Sequence, residues 1–230
     1  MIDKVYTLIQ QEVKHVMQQA PGHGFDHVER VYHIAKQLAK KEEADEEIVM
    51  LASLLHDVDD YKFVGIENSK KLLNAKKIMQ MAGILPFKQE IVCDIILNMG
   101  YSNVLKGIRP KSKEGAIVSD ADMLDAMGAV AIVRTIEYSS SKKGKIFDPT
   151  VFPLSNLSAQ EYQKMSDGQA PAINHFFDKL LKLKGLMLTK AAQEEAQKRH
   201  DFMISFLKEF FLELNQESWI QFLDRYLKDL

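Results

Sequence analysis

The 230-residue chain is long enough for one sizeable hydrophobic core, and its 46% hydrophobic and 27% charged residues are ordinary globular proportions. With 30 basic against 32 acidic residues the net charge is −2, which excludes a general polyanion-binding surface, because affinity for nucleic acid rests on clustered Lys and Arg. The single cysteine, Cys93, excludes an intrachain disulfide and a thiolate zinc site.

No apolar run approaches the roughly 20 residues that span a bilayer. The first ten residues mix Asp3, Lys4 and Gln10 with apolar side chains, so the reading is a cytoplasmic protein without a membrane or a nucleic-acid polymer as partner. Hydrophobic periodicity is helical nearly throughout, and the alternating, turn-bounded runs of strands are missing. His15, beside Val13 and Val16, reads as a surface residue of a first helix. Val28, Val31, Ala35 and Leu38 mark one face of a helix over about 26–40, and Ile48, Leu51, Ala52 and Leu55 mark the next, ending near His56-Asp57. Ser69 to Met81 and Pro86 to Met99 read as two more, closed by Gly83 and Gly100. Cys93, within Ile91 to Ile95, reads as a small core residue.

Glu114 to about Ser139 reads as one long helix rich in Ala and Gly. From Ser139 to Pro171 the pattern breaks, opening with the run Ser139-Ser140-Ser141, followed by lysines at 142, 143 and 145 and prolines at 149, 153 and 171. A segment of this length is a lid or is disordered. Helix resumes over Ile173 to about Leu188 and Ala191 to Leu214, and a last amphipathic helix puts Trp219, Ile220, Leu223, Tyr226 and Leu227 on one face. That face either completes the core or forms a dimer seam, so monomer and homodimer both stand. The expectation is an all-α, compact multi-helix bundle in one domain over 1–230: a core over about 20–135, an irregular loop over 139–171 and C-terminal helices over 173–230.

Three clusters carry chemistry. His23-Gly24-Phe25-Asp26-His27 opens a helix with Arg30 at i+3 from His27. Leu54-Leu55-His56-Asp57-Val58-Asp59-Asp60 ends an apolar helix in an imidazole and carboxylates, and Ser119-Asp120-Ala121-Asp122-Met123-Leu124-Asp125 sets acids in a buried-looking stretch. Burying such acids without compensation is costly, and a bound cation compensates. Imidazole with carboxylate suits divalent Mn, Fe, Co, Ni or Zn better than Ca or Mg alone.

The ordered set His27, His56-Asp57, Asp122 in an Ala-Asp-x-Leu setting resembles the HD phosphohydrolase superfamily, and these residues match its four metal-ligand positions. The flanks, with Lys62-Phe63, Ser141-Lys142-Lys143-Gly144 to Asp148-Pro149 and Ile173-Asn174-His175-Phe176, look closest to its small bacterial nucleotide pyrophosphohydrolase-like branch, over about His23 to His200. The resemblance implies an HD-type helical bundle and one divalent metal ion (Mn favoured, with Co, Ni, Fe, Mg or Zn as alternatives). Residues 58–121 lack the further histidines of dinuclear HD enzymes. It also implies Asp60 as a catalytic acid that orients or protonates, and His23, Arg30, Lys62, Arg134, Lys142 and Lys143 as phosphate-binding groups.

Plainer roles stand beside these. Asp60 serves equally as the cap of the next element, His23 as an exposed turn residue, Arg134 as an ion-pair partner of Glu137 or Asp125, and the lysines as a solvated loop. His33 carries no ligand argument, His200 beside Asp201 reads as a decoy in a charged stretch, and His175 fits packing or capping as well as function. The implied reaction resembles metal-dependent cleavage of a (deoxy)nucleoside triphosphate to monophosphate and pyrophosphate. The alternatives are a nucleoside 5′-monophosphatase or cyclic-nucleotide phosphodiesterase, a non-catalytic nucleotide-binding regulatory module, and a structural helical protein with incidental histidines.

Overall fold

A computed structural model of the chain describes residues 2–18, 24–153 and 170–230, so His23 and most of the central irregular segment lie outside the described residues. Among those described there is no strand, as the periodicity requires, and no helix is long and apolar enough to cross a membrane. The chain forms two compact units, Met1–Asp122 and Met123–Leu230.

In the first unit the helices are α1 (Ile2–Gln18), α2 (Phe25–Lys41), α3 (Glu46–Leu55), the short α4 (Tyr61–Val64) and α5 (Ile66–Ser69), α6 (Leu73–Met81), α7 (Pro86–Asn98) and the short α8 (Tyr101–Val104). The long α9 (Lys113–Asp125) begins in this unit and ends in the next. α3 is the centre: Ile48, Val49, Leu51, Ala52, Leu54 and Leu55 are buried all round it, as expected of a helix apolar on every face. Its start is fixed by Asp45, whose carboxylate accepts from Glu47 N–H and Ile48 N–H at 2.9 and 3.2 Å. α2, α1 and α7 pack around it, and Lys88 of α7 pairs with Glu47. The start of α9 is tied to the α2–α3 connection, Lys113 Nζ donating to Glu42 O at 3.1 Å and Asp45 N–H to Glu114 Oε1 at 3.3 Å.

Three expected helices come out divided. Ser69 to Met81 is α5 and α6 with a turn between them, and Leu72 there holds a left-handed φ of 51°. The long helix expected from Glu114 to Ser139 breaks after Asp125, and α10 (Gly128–Ser141) starts anew. The physical reason is Gly128, at φ +80°, a conformation that ends a right-handed helix and that only glycine adopts without strain. Ile173 to Leu188 is α11 (Ala172–Asp178) followed by a 3-10 segment, Leu180–Leu186.

The second unit is completed by α12 (Lys190–Glu213) and α13 (Glu217–Lys228). Of the two roles open to the last helix, completing a core is the one observed. Trp219 and Leu223 are fully buried, Phe152 stacks on Trp219 with centroids 4.5 Å apart, and Trp219 Nε1 donates to Pro149 O at 3.1 Å. The described part of the irregular segment is therefore packed, and backbone bonds from Ala172 N–H to Lys145 O and Ile173 N–H to Ile146 O secure it further.

Candidate functional site

His27 sits in the first turn of α2, and His56 is the residue that ends α3. The Nδ1 of His56 lies 2.8 Å from Ser53 O. A carbonyl only accepts, so Nδ1 carries the proton and Nε2 keeps its lone pair, the tautomer a metal-ligating imidazole needs. That Nε2 faces His27 Nε2 at 3.3 Å. Asp57 brings Oδ1 to 3.6 Å from His56 Nε2 and Oδ2 to 3.6 Å from His27 Nε2, and Asp122 of α9 brings Oδ1 to 3.4 Å from His27 Nε2.

These four side chains come from three separate elements, and His27, His56 and Asp57 are recognisable as a potential metal-holding group on geometry alone. Bonds of about 2.1 Å to one ion separate neighbouring donors by about 3.0 Å at right angles and about 3.4 Å at tetrahedral angles. The observed separations fall close to that range, and two imidazoles with two carboxylates are a donor set for a divalent transition metal. The His27–His56–Asp57 cluster fits a divalent metal ion. Burial pushes the Asp122 carboxyl upward, but the hydrogen bond from His27 and the neighbouring imidazoles outweigh it, and its pKa is lowered overall.

The turn after α3 is held by groups that are not donors. Asp59, 5% exposed, accepts from Asn74 N–H and Ala75 N–H at 3.1 and 2.9 Å, and Asn74 Nδ2 returns a bond to Val58 O at 3.1 Å. Asp59 thus caps α6 across space and pins the segment bearing His56 and Asp57. Sequence reasoning gave it no role, because a buried acid beside a half-buried one leaves no periodic signal. α3 does not continue a further regular turn, and Asp60 instead opens α4, its carboxylate accepting from Lys62 N–H at 2.8 Å. Its capping role is thereby observed.

Arg30 lies on α2, one turn beyond His27, and Lys62 is exposed with Nζ 5.9 Å from the Tyr61 ring centroid. Arg134, Lys142 and Lys143 belong to the second unit. There Arg134 forms an ion pair with Asp125, one of the two partners the sequence offered, and Lys142 Nζ lies 5.8 Å from the Tyr138 ring. His15 and His33 are exposed. His200 is 3% exposed, a core imidazole rather than part of a solvated stretch. Burial pushes the His175 imidazole down to about 3, which keeps it neutral.

The HD domain family model matches residues 24–127. YpgQ of Bacillus subtilis is 34% identical over 194 residues, covering 83% of this chain and 84% of that protein. Among solved structures, a protein of Lactobacillus plantarum aligns with a TM-score of 0.76 at 32% identity, over 93% of this chain and 98% of the other. An HD-superfamily hydrolase from Bacillus thuringiensis aligns at 0.72 with 34% identity, over 94% and 98%. YpgQ of Bacillus subtilis in complex with ADP aligns at 0.70 with 30% identity, over 91% and 95%. The family match spans His27, His56, Asp57 and Asp122, and the relatives align over most of their length: this chain belongs to the HD phosphohydrolase superfamily.

Proposed function

We propose that this HD-superfamily hydrolase cleaves a (deoxy)nucleoside triphosphate to the monophosphate and pyrophosphate. The observation that carries the reading is the grouping of His27, His56 and Asp57, with Asp122 Oδ1 3.4 Å from His27 Nε2 and the His56 tautomer set by Ser53 O. The complex of the similar YpgQ with ADP supports a nucleotide as the ligand.

In this reading the four side chains hold one divalent ion, with Mn favoured. Such an ion supplies Lewis acidity, making water a nucleophile near neutral pH and neutralising phosphoryl charge. Arg30 and Lys62 bind phosphate oxygens, Arg30 in a forked, planar fashion. Arg134, Lys142, Lys143 and His23 are further candidates for the same task. Asp60 receives the proton of the attacking water as the new oxygen–phosphorus bond forms at the α-phosphorus and the bond to the β-phosphate bridge breaks, releasing pyrophosphate.

The test is a chromatographic product assay on metal-stripped protein, with Mn, Mg, Co or Ni added back. Ribo- and deoxynucleoside tri- and monophosphates are offered, and Asp57→Ala serves as control. Monophosphate plus pyrophosphate, lost in the control, is expected. Nucleoside released from monophosphates would replace this reading with a 5′-nucleotidase, and metal and nucleotide binding without turnover would replace it with a regulatory module. Asp60→Asn keeps a good helix cap while removing the acid. A large fall in kcat at unchanged stability assigns Asp60 to catalysis, and full activity leaves it the cap alone.

A further inference from the structure

α6 begins without a cap of its own. The first N–H groups of a helix are ordinarily met by the side chain just before it, a Ser, Thr, Asp or Asn. Before α6 stands Leu72, which has no side-chain oxygen to offer, is buried, and holds a left-handed φ of 51° and ψ of 49°. A bulky residue keeps that conformation only where its surroundings fix it. The acceptor comes from elsewhere in the chain. The two carboxylate oxygens of Asp59 take Asn74 N–H and Ala75 N–H, the second and third N–H groups of α6, across 15 and 16 positions. A negative group at that point also suits the helix dipole.

A polar side chain at position 72 would cap α6 locally. The remote cap does something a local one does not: it ties α6 to the residue that follows His56-Asp57-Val58. Asn74 closes the tie from the other side, its Nδ2 donating to Val58 O at 3.1 Å. Between α3 and α4 the chain is a turn, in which Val58 N–H reaches Leu55 O at 3.4 Å and Asp60 N–H reaches Asp57 O at 3.1 Å. A turn of this kind is free to shift on a small scale unless it is held from outside, and the three bonds to α6 hold it.

With the divalent ion proposed for the site taken as given, we infer that Asp59 is a positioning residue of the metal centre and that α6, which supplies no donor, sets part of its metal affinity. Both Asp59 oxygens are engaged by backbone N–H groups, so it acts through the turn that presents His56 and Asp57. Ligand bonds tolerate displacements of only about 0.2 Å, so a turn released from α6 presents its donors less accurately.

Isothermal titration of metal-stripped protein with Mn tests this on wild type, Asp59→Ala, Asn74→Ala and Asp45→Ala. Asp45 is the matched control: its carboxylate also caps a helix through two N–H groups, but at the end of α3 away from His56. Asp59→Ala is expected to weaken Mn binding about 10–100-fold, Asn74→Ala less, and Asp45→Ala not measurably, with all three folded by circular dichroism. Asp59→Asn, which retains one accepting oxygen, falls between and serves in place of Asp59→Ala if that variant does not fold. In the metal-free protein with isotope-labelled histidine, the ring signals of His27 and His56 are expected to shift or broaden in Asp59→Ala and to match wild type in Asp45→Ala. Wild-type Mn affinity in Asp59→Ala, or an equal loss in Asp45→Ala, overturns the proposal, because Asp59 then serves stability alone. Wild type that takes up none of Mn, Mg, Co or Ni overturns the proposed ion instead, and the imidazole signals then decide whether Asp59 holds the turn.

Discussion

Replacing Gly128 with alanine isolates the break that ends α9 just beyond Asp122. Gly128 holds φ +80°, where an L-residue is strained by about 1–2 kcal/mol. The added Cβ would also lie 3.2 Å from Arg199 Cγ and 3.3 Å from Arg199 Cβ. Arg199 is poorly placed to retreat, because its Nη1 donates to Leu124 O at 2.7 Å and its Nε to Glu195 at 2.9 Å. Crowding of that kind costs about 1–2 kcal/mol, and the lower entropy of an unfolded chain with alanine returns about 0.4–1 kcal/mol. The net loss is about 2 kcal/mol, or about 4–8 °C in melting temperature for a chain of this size. Urea unfolding at constant m-value measures it. In an Arg199→Ala background the crowding part should vanish and the dihedral part remain, which a double-mutant cycle separates. Gly185, with no positive φ and nothing within 4 Å of its added Cβ, is the control. A loss below about 0.5 kcal/mol at Gly128, or an equal loss at Gly185, would refute the reasoning.

Metal-stripped wild type should gain about 2.7 kcal/mol, or about 5–11 °C, with free Mn at roughly 100 times its dissociation constant. Differential scanning fluorimetry reads this, and His27→Ala or Asp122→Ala should abolish it; no shift in folded wild type with any of the four metals counts against the site. Asp178 is 5% exposed, its Oδ1 has no hydrogen-bond partner among the described residues, and burial, only partly offset by Lys182, pushes its carboxyl up to about 6. The folded state then keeps a proton that the unfolded chain releases near pH 4, so stability falls as pH rises from about 4 to about 6, by up to about 3 kcal/mol. Asp178→Asn should remove that slope in paired urea titrations, and an unaltered slope would assign it elsewhere. Arg134→Ala should cost about 1–2 kcal/mol, since it strips the ion-pair partner from Asp125, 2% exposed, though Arg134 itself is 41% exposed. A raised KM at unchanged stability would instead return Arg134 to phosphate binding.

What was legible in the sequence was what periodicity and order encode. The apolar stripes of α2, α3, α7 and α13 placed those helices to within a few residues, and of the residues named by the order His, His-Asp, Asp, His27, His56 and Asp57 lie together, with Asp122 Oδ1 3.4 Å from His27 Nε2. The breaks were not legible, because they depend on backbone angles rather than on composition. Gly128 sits among alanines, where one glycine in a helical pattern is ordinarily tolerated, and only its positive φ reveals a terminus. Asp59 and Asp60 are adjacent and chemically identical, yet one reaches across to α6 and the other caps α4. No pattern of spacing separates those roles, since the choice is made by which backbone N–H groups tertiary packing brings near. The ring contacts that Phe147 and Phe152, in the described part of the irregular segment, make with Trp219 were not legible for a similar reason, since they join positions about 70 residues apart.

The donors themselves are less informative about the site than the bonds behind them. Two imidazoles and two carboxylates brought within 3.6 Å of their neighbours crowd lone pairs and negative charge, an arrangement folding alone does not favour. It persists because each supporting element is fixed by groups that touch no donor directly or touch it from behind. Ser53 O orients His56, the Asp59–Asn74 exchange holds the turn that presents Asp57, and Lys113 and Glu114 anchor the helix that presents Asp122. A histidine left in the core by chance is held on one side by whatever lies nearest. Here three independent polar anchors fix the elements that bear His56, Asp57 and Asp122, the kind of preorganisation that a bound ion would exploit. That separates this centre from His200, which is equally buried but has an Nδ1 without a hydrogen-bond partner among the described residues.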